Sequence, residues 1–356
     1  MWPNRRAEEL NQRCHAAYAK PTTWFTFIPS AECNFIGYFP VDYAADCQAG
    51  LSPNLRYLPP TSNFCDADIA IVTAHGSDLS PALWEFRKKL QSGALVLVWM
   101  WDNHLADTNN IRTALAGDFV FVSHNYCAGY LFTPAAALGA HIPLCSAQWT
   151  TAEAKDAFAQ FGGITRSSRL LVNYVDYPFS WRSELLGKLG AQMPEANVLL
   201  MAPGERSRYF GKTRAERFKE WCEHKSTLIL PVSQDFSTRI FDALLAGQVL
   251  LVPNIVADFD QVIPPALQSE LGIIKLPDVE VSTIREGAKR AERRFDELGM
   301  EGVRARHQFV LEKHMTVHRI GAMLEVLKGV ATKKLSVVFG GNSNVPFGLH
   351  VVPTKV

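Results

Sequence analysis

No stretch of this 356-residue sequence is apolar for long enough to span a bilayer. The longest run, Ala94–Trp101, falls far short of the roughly 20 residues a membrane helix needs. The N-terminus, MWPNRRAEELNQRC, has no apolar core of the secretory kind. Neither sign of charge dominates: 36 Lys and Arg oppose 35 Asp and Glu, a formal net charge of +1. That gives no overall pull toward nucleic acid. Close cysteine pairs are also missing. The seven cysteines (Cys14, Cys33, Cys47, Cys65, Cys127, Cys145 and Cys222) are scattered, which argues against a zinc site or a disulfide framework and for a reducing compartment. A Walker-type phosphate loop and a G-x-G-x-x-G fingerprint are absent, which counts against a kinase or a dinucleotide-dependent dehydrogenase. The expectation is a cytoplasmic protein with room for peripheral contact at the inner face of a membrane. Length suggests two domains, and a hydrophobic content of 47% suffices for two cores.

What is present centres on residues 226–254, STLILPVSQDFSTRIFDALLAGQVLLVPN. This reads as strand, loop, helix, glycine stop, strand. Ser226–Leu230 and Leu250–Val252 are apolar runs, and Phe236, Ile240, Phe241, Leu244 and Leu245 fall at helical spacing between them. Ser237 can cap the helix, and Gly247 stands where a left-handed stop is wanted. In a βαβ unit such a loop lies at the carboxyl end of its strand, where open parallel sheets bind ligands. A cation in the first turn, Arg239, is disfavoured by the helix dipole unless an anion is expected there. Asp242 follows one turn later and could take a ribose hydroxyl.

The run Ser237-Thr238-Arg239-Ile240-Phe241-Asp242-Ala243-Leu244-Leu245-Ala246-Gly247, followed by Pro253, resembles the donor-binding signature of GT-B glycosyltransferases. It is similar to the segment in fucosyltransferases, exostosin-like enzymes and the spore-maturation type. The resemblance is specific over 226–254, loose over the C-terminal half, and has no counterpart in the N-terminal half. It implies a basic residue on the sugar-nucleotide phosphates and an acidic one on the ribose. Retaining members commonly carry Glu where this chain has Asp242. It also implies an α/β fold of two Rossmann-like domains facing across a cleft. The activity implied is transfer of a sugar from a nucleotide-activated donor to a hydroxyl of a glycan, lipid-linked or protein acceptor, in glycan or glycoconjugate assembly. The nucleotide-sugar would be a co-substrate, with no tightly bound cofactor, no metal and no nucleic acid. The alternative is a nucleotide- or sugar-binding partner protein without turnover. An epimerase is a further one.

Read in order, the chain divides at 1–155, an acceptor-side domain, 156–330, a donor domain, and 331–356, a tail. Residues 1–20 suggest an amphipathic helix, and 30–66 are irregular. Strands are expected at Thr22–Ile28, Asp68–Ala74, Ala94–Trp101, Phe119–Ser123 and Ile142–Cys145, with helices at 80–90, 110–116 and 127–139. Three of these strands end in polar groups: His75; Asp102 and His104; His124 and Asn125. If the sheet is parallel these ends share one edge, and a base for an acceptor hydroxyl is sought among His75, Asp102, His104 and His124. In the second half, the loop GERSRYFGKTR (204–214) is strongly basic, and resemblance to other GT-B enzymes makes Arg206 and Lys212 a second clamp on the pyrophosphate. With Ser237, Thr238, Arg239 and Asp242 they form the donor-binding set. A long helix is expected from about Val303 to Leu327. His314 and His318 lie one turn apart on it, a spacing that also suits simple helix packing.

Overall fold

The computed structural model describes residues 2–29, 39–40, 42–61, 64–75, 78–102, 107–131, 133–177, 180–205, 207–341 and 345–354. The chain forms two compact units. One comprises 1–35, 41–144 and 317–356, the other 36–40 and 145–316. The divisions therefore fall at 144/145 and 316/317 rather than at 155/156 and 330/331.

The strands of the first unit are β1 (Thr23–Ile28), β2 (Leu55–Tyr57), β3 (Ile69–His75), β4 (Leu95–Asp102), β5 (Phe119–Val122), β6 (Ala137–His141), β12 (Leu335–Gly340) and β13 (Gly348–Pro353). They make one sheet in the order β12-β13-β6-β5-β4-β3-β1-β2. β1 to β6 run parallel, β13 joins β6 in parallel, and β12 pairs antiparallel with β13. Strands buried on both faces read as unbroken apolar runs. One face of the central strands gives Val72, Ala74, Val96, Val98, Met100, Val120 and Val122 to a core closed by Leu83 and Ala114 from the helices Ser80–Lys89 and Asp107–Leu115. Ile71, Leu97, Trp99 and Phe121, on the alternate positions, are fully buried too.

Two expectations give way here. Residues 127–139 do not form a helix. Asn125–Leu131 is a 3-10 turn and Ala137–His141 is strand β6, which displaces the strand expected at 142–145. A Cβ at Gly139 would lie 2.6 Å from the Phe121 ring, so the absence of a side chain lets β6 close on β5. Residues 331–356 are not a separate tail, because 335–340 and 348–353 pair as β12 and β13 of this sheet. At the amino edge, the fully buried Asp118 pairs with Arg6 (2.6 Å), Arg13 (2.9 Å) and Arg87 (2.8 Å) and accepts the Val96 N–H.

The second unit holds β7 (Leu171–Val175), β8 (Asn197–Met201), β9 (Ser226–Leu228), β10 (Val249–Pro253) and β11 (Ile274–Leu276). All are parallel, in the order β11-β10-β9-β7-β8. In chain order this is 2-1-3-4-5, a doubly wound sheet. Its core joins Leu170, Val172, Leu228, Leu230, Val249 and Leu251 to Leu185, Leu186 and Leu189 of the helix Trp181–Gln192. The helix Val281–Lys313 lays Ile284 and Ala291 on the same core and breaks at Gly299 (φ 51, ψ −151). The single helix expected over 303–327 is in fact two, Val281–Lys313 and Thr316–Ala331, so His314 and His318 are not one turn apart on a continuous helix. His314 instead stacks on Phe241, with centroids 4.3 Å apart.

Candidate functional site

In the second unit the connections leave β7 and β9 in opposite directions, so the crevice of the sheet opens between their carboxyl ends. Tyr174, near the end of β7, ties the two strands together. Its hydroxyl donates to the Leu228 carbonyl at 2.7 Å and accepts the Leu230 N–H at 2.8 Å. Arg239 opens the helix Arg239–Leu245 beside this pair. Its Nη1 donates to Asn173 Oδ1 at 2.7 Å, and its guanidinium lies 4.3 Å from the centre of the Tyr174 ring and 5.6 Å from that of Trp221. Arg239 is half-buried, and among the described residues no carboxylate pairs with it. A half-buried cation whose hydrogen-bond partner is neutral can offer its guanidinium fork to an incoming anion.

The turn before it differs in detail from the expected cap. Thr238 occupies the cap position in helical geometry, without a side-chain cap bond. Ser237 Oγ accepts the Arg239 N–H at 3.3 Å, and the Ser237 carbonyl accepts the Ile240 N–H. The helix has only seven residues, so its dipole is short and one of its free N–H groups is already spent. Gly247 sits at φ +82 and ends it, as its place in the sequence suggests.

Asp242 is enclosed within the second unit. It is 1% exposed, and its two oxygens accept from Ser146 Oγ and Gln148 Nε2, both at 2.8 Å. A ribose contact is therefore not the role this geometry gives it. Burial raises its pKa to about 6, against the hydrogen bonds from Gln148 and Ser146 and the fields of Arg239 and Arg217. Gln148 also meets the hydroxyl of Tyr209 at 3.4 Å, and Trp221 Nε1 donates to that hydroxyl at 3.0 Å. Burial, then Asp242, push Tyr209 up to about 12.

In the basic segment 204–214 the side chains of Lys212, Arg208 and Arg214 carry ion pairs. Lys212 pairs with Glu220 at 2.7 Å, Arg208 with Glu205 at 3.5 Å, and Arg214 with Glu153 at 3.2 Å and the Phe39 carbonyl at 2.7 Å. Arg206 lies outside the described residues. The segment also contributes a residue that sequence reasoning passed over, Tyr209.

In the first unit the parallel sheet does bring the polar strand ends to one edge. His75 closes β3 and is the register partner of Asp102 at the end of β4. His124 follows β5, is 1% exposed and stacks on Tyr126. His75 is half-buried, with its ring 6.2 Å from that of Trp101. The Asp102 side chain and the whole of His104 lie outside the described residues. Among the described residues, no three His, Cys, Asp or Glu side chains gather as a metal set would, and no helix is long and apolar enough to cross a membrane.

Asn173, Ser146 and Gln148 were missed at sequence level. The one signal was a polar Asn inside the apolar run LLVNYV. No protein-family model and no curated protein matches the chain. Among solved structures it is similar to an α,α-trehalose 6-phosphate synthase from Burkholderia multivorans: TM-score 0.46, 11% identity, 88% of this chain and 98% of that one. It is similar also to a sucrose-phosphate synthase from Thermosynechococcus elongatus, with TM-score 0.45, 12% identity, 88% of this chain and 97% of that one. A UDP-forming α,α-trehalose-phosphate synthase from Burkholderia vietnamiensis gives TM-score 0.44 at 13% identity, over 75% of this chain and 73% of that one.

Proposed function

We propose that this protein transfers a sugar from a nucleotide-activated donor to a hydroxyl acceptor, and that the 145–316 unit holds the donor. The observation that carries this reading is Arg239: a half-buried guanidinium at the switch point of a doubly wound sheet, fixed by Asn173 and Tyr174, with no carboxylate partner among the described residues. The resemblance of residues 237–247 to GT-B donor segments supports the same assignment. In such a transfer the leaving group is a nucleoside diphosphate, on which negative charge grows as the sugar–oxygen bond breaks. A fixed cation aimed at that charge stabilises the transition state without reorganising. Ser237 and Thr238 shape the turn that presents Arg239. The acceptor side falls to the first unit, where His75 is the preferred base, ahead of Asp102, His104 and His124.

The test is a panel of UDP-, GDP-, CDP- and ADP-sugars, read by calorimetry and by release of nucleoside diphosphate. Saturable binding with slow hydrolysis, or with transfer to an added glycan acceptor, supports the proposal. Binding with no turnover under any condition would favour a binding partner without catalysis. No binding across the panel would end the donor assignment.

A further inference from the structure

Asp242 presents a physical problem. Among the described residues, a carboxylate that is 1% exposed accepts only from a hydroxyl and an amide, both neutral. Burying a charge without an ion pair is costly. An Asn at this position could keep both contacts, with Gln148 turned over, and would avoid that cost. The arrangement makes sense if the charge itself is used. Three connections show where. Asp242 stands three residues after Arg239, on the same short helix. Through Gln148 it reaches the hydroxyl of Tyr209, which anchors the basic segment. Trp221, the donor to that hydroxyl, also carries the Arg239 guanidinium on its ring.

We propose that Asp242 is the positioning residue of the anion site, holding the Arg239 turn and the 207–214 segment in one arrangement, and that it takes up a proton when an anion binds at Arg239. The inference rests on the donor reading above. The groups facing Asp242 allow it. Ser146 and Gln148 come from the segment after residue 144, Tyr209 from the helix Ser207–Phe210, and Arg217 and Trp221 from the helix Arg214–Cys222. His314 stacks on the neighbouring Phe241, and His307 lies under the Leu245 carbonyl. Tyr209 stays neutral near pH 7. Burial pulls His307 down to about 4, so it stays neutral as well. What favours the ionised carboxylate, beyond its two hydrogen bonds, is the field of Arg239 and Arg217. An anion seated on Arg239 offsets that field, and the carboxylate, already desolvated, takes a proton from solvent. By linkage the reverse holds equally: a protonated Asp242 leaves Arg239 more attractive to an anion.

Two measurements decide it. First, the carboxyl carbon of Asp242 is titrated by NMR from pH 4.5 to pH 8 in the wild type and in Arg239→Gln. The midpoint should rise in the variant, because a supporting cation has gone. An unmoved midpoint would overturn the coupling, whatever the ligand. Second, the best-binding sugar nucleotide of the panel is titrated at pH 5.5 and pH 7.5; its pyrophosphate diester holds constant charge over that range. Wild-type affinity should rise about fivefold on acidification, near the lower end of coupling between sites. Calorimetry in buffers of different ionisation enthalpy should show proton uptake near pH 6.5. Asp242→Asn should give a flat profile while melting as a folded protein. A wild-type slope persisting in Asp242→Asn would overturn the assignment to this residue. If no sugar nucleotide binds, the donor reading fails, and Arg239→Gln alone judges the coupling.

Discussion

Arg239 and Asn173 meet at 2.7 Å, a guanidinium at a helix start against an amide oxygen inside a buried strand. The contact fixes a cation where the helix dipole works against it. It also fills one direction of the guanidinium fork, leaving the rest for a ligand.

The first prediction follows from that fork. Arg239→Ala should lower donor affinity and turnover together, by about 2–4 kcal/mol, the range typical of losing one transition-state donor. Arg239→Lys should recover only part, because an ammonium cannot reproduce the planar contact with Tyr174 or the forked geometry. Binding isotherms and single-turnover rates check both. Wild-type values in Arg239→Ala would remove the mechanism proposed here.

Asp118 is the opposite kind of carboxylate to Asp242. Burial alone would raise its pKa, yet Arg13 and Arg87 outweigh burial and the net shift is downward. Its contribution to stability is therefore present above the unfolded value of about 4 and is lost as pH falls through the depressed folded value. Asp118→Ala leaves three arginines, at 2.6–2.9 Å in the wild type, around an empty centre. The expected loss is about 3–5 kcal/mol. Denaturant unfolding near pH 7 should show it as a lower midpoint for the first unit.

For Asp242 the sign reverses. Its folded value, about 6, lies above the unfolded one, so its contribution is full below about pH 4 and is lost as pH rises through 6. Above that, the buried charge costs roughly 3 kcal/mol. Asp242→Asn should thus melt higher than the wild type at pH 8, with the gap closing by pH 5. A gap that widens on acidification would contradict the placement of this carboxylate.

How far the sequence could be read follows from where each signal lies. Strands β3, β4 and β10 were visible because parallel strands buried on both faces leave long apolar runs. Strand β6 was not. In ALGAH the two Ala and the Leu are strong helix formers and no β-branched residue marks a strand, while the close approach of Gly139 to Phe121 appears only in the folded sheet. The helix Thr151–Phe161 escaped notice although Thr150 and Glu153 form a full capping box there. At the site, Arg239 stood out because a helix start repels cations, a local rule. The setting of Asp242 did not, because Ser146 and Gln148 lie 96 and 94 residues upstream of it. A ribose ligand and a buried network look alike in one dimension, and burial separates them.

Gly247 tests the stop of the central helix. An alanine there must hold φ near +82, and its Cβ would come within 2.6 Å of Val303 Cγ1 and 3.1 Å of the Val303 carbonyl. Backbone strain of about 1–2 kcal/mol adds to an overpacking cost of about 1–3 kcal/mol. Gly247→Ala should therefore lower the denaturation midpoint by more than a surface change does. It should also weaken donor binding, because the same two-turn helix carries Arg239.

The last prediction separates His75 from His124 as the base for the acceptor hydroxyl. A base must reach its proton within a hydrogen bond and must be open to the substrate. His75 ends β3 half-buried, at the carboxyl edge of the first sheet and in register with Asp102. His124 sits on the same edge but is 1% exposed and stacked on Tyr126, with ring centroids 5.3 Å apart. The two should fail differently. His75→Ala should cut transfer by about 10²–10⁴-fold, the usual span of a general base, with donor affinity and melting temperature nearly unchanged. His124→Ala should act through stability first, since it empties a buried ring site, and what folded protein remains should keep a turnover closer to wild type. Donor binding, turnover and melting temperature measured on the same preparations tell the two apart. Full turnover in His75→Ala would move the base to another group on this edge, with Asp102 the next to substitute.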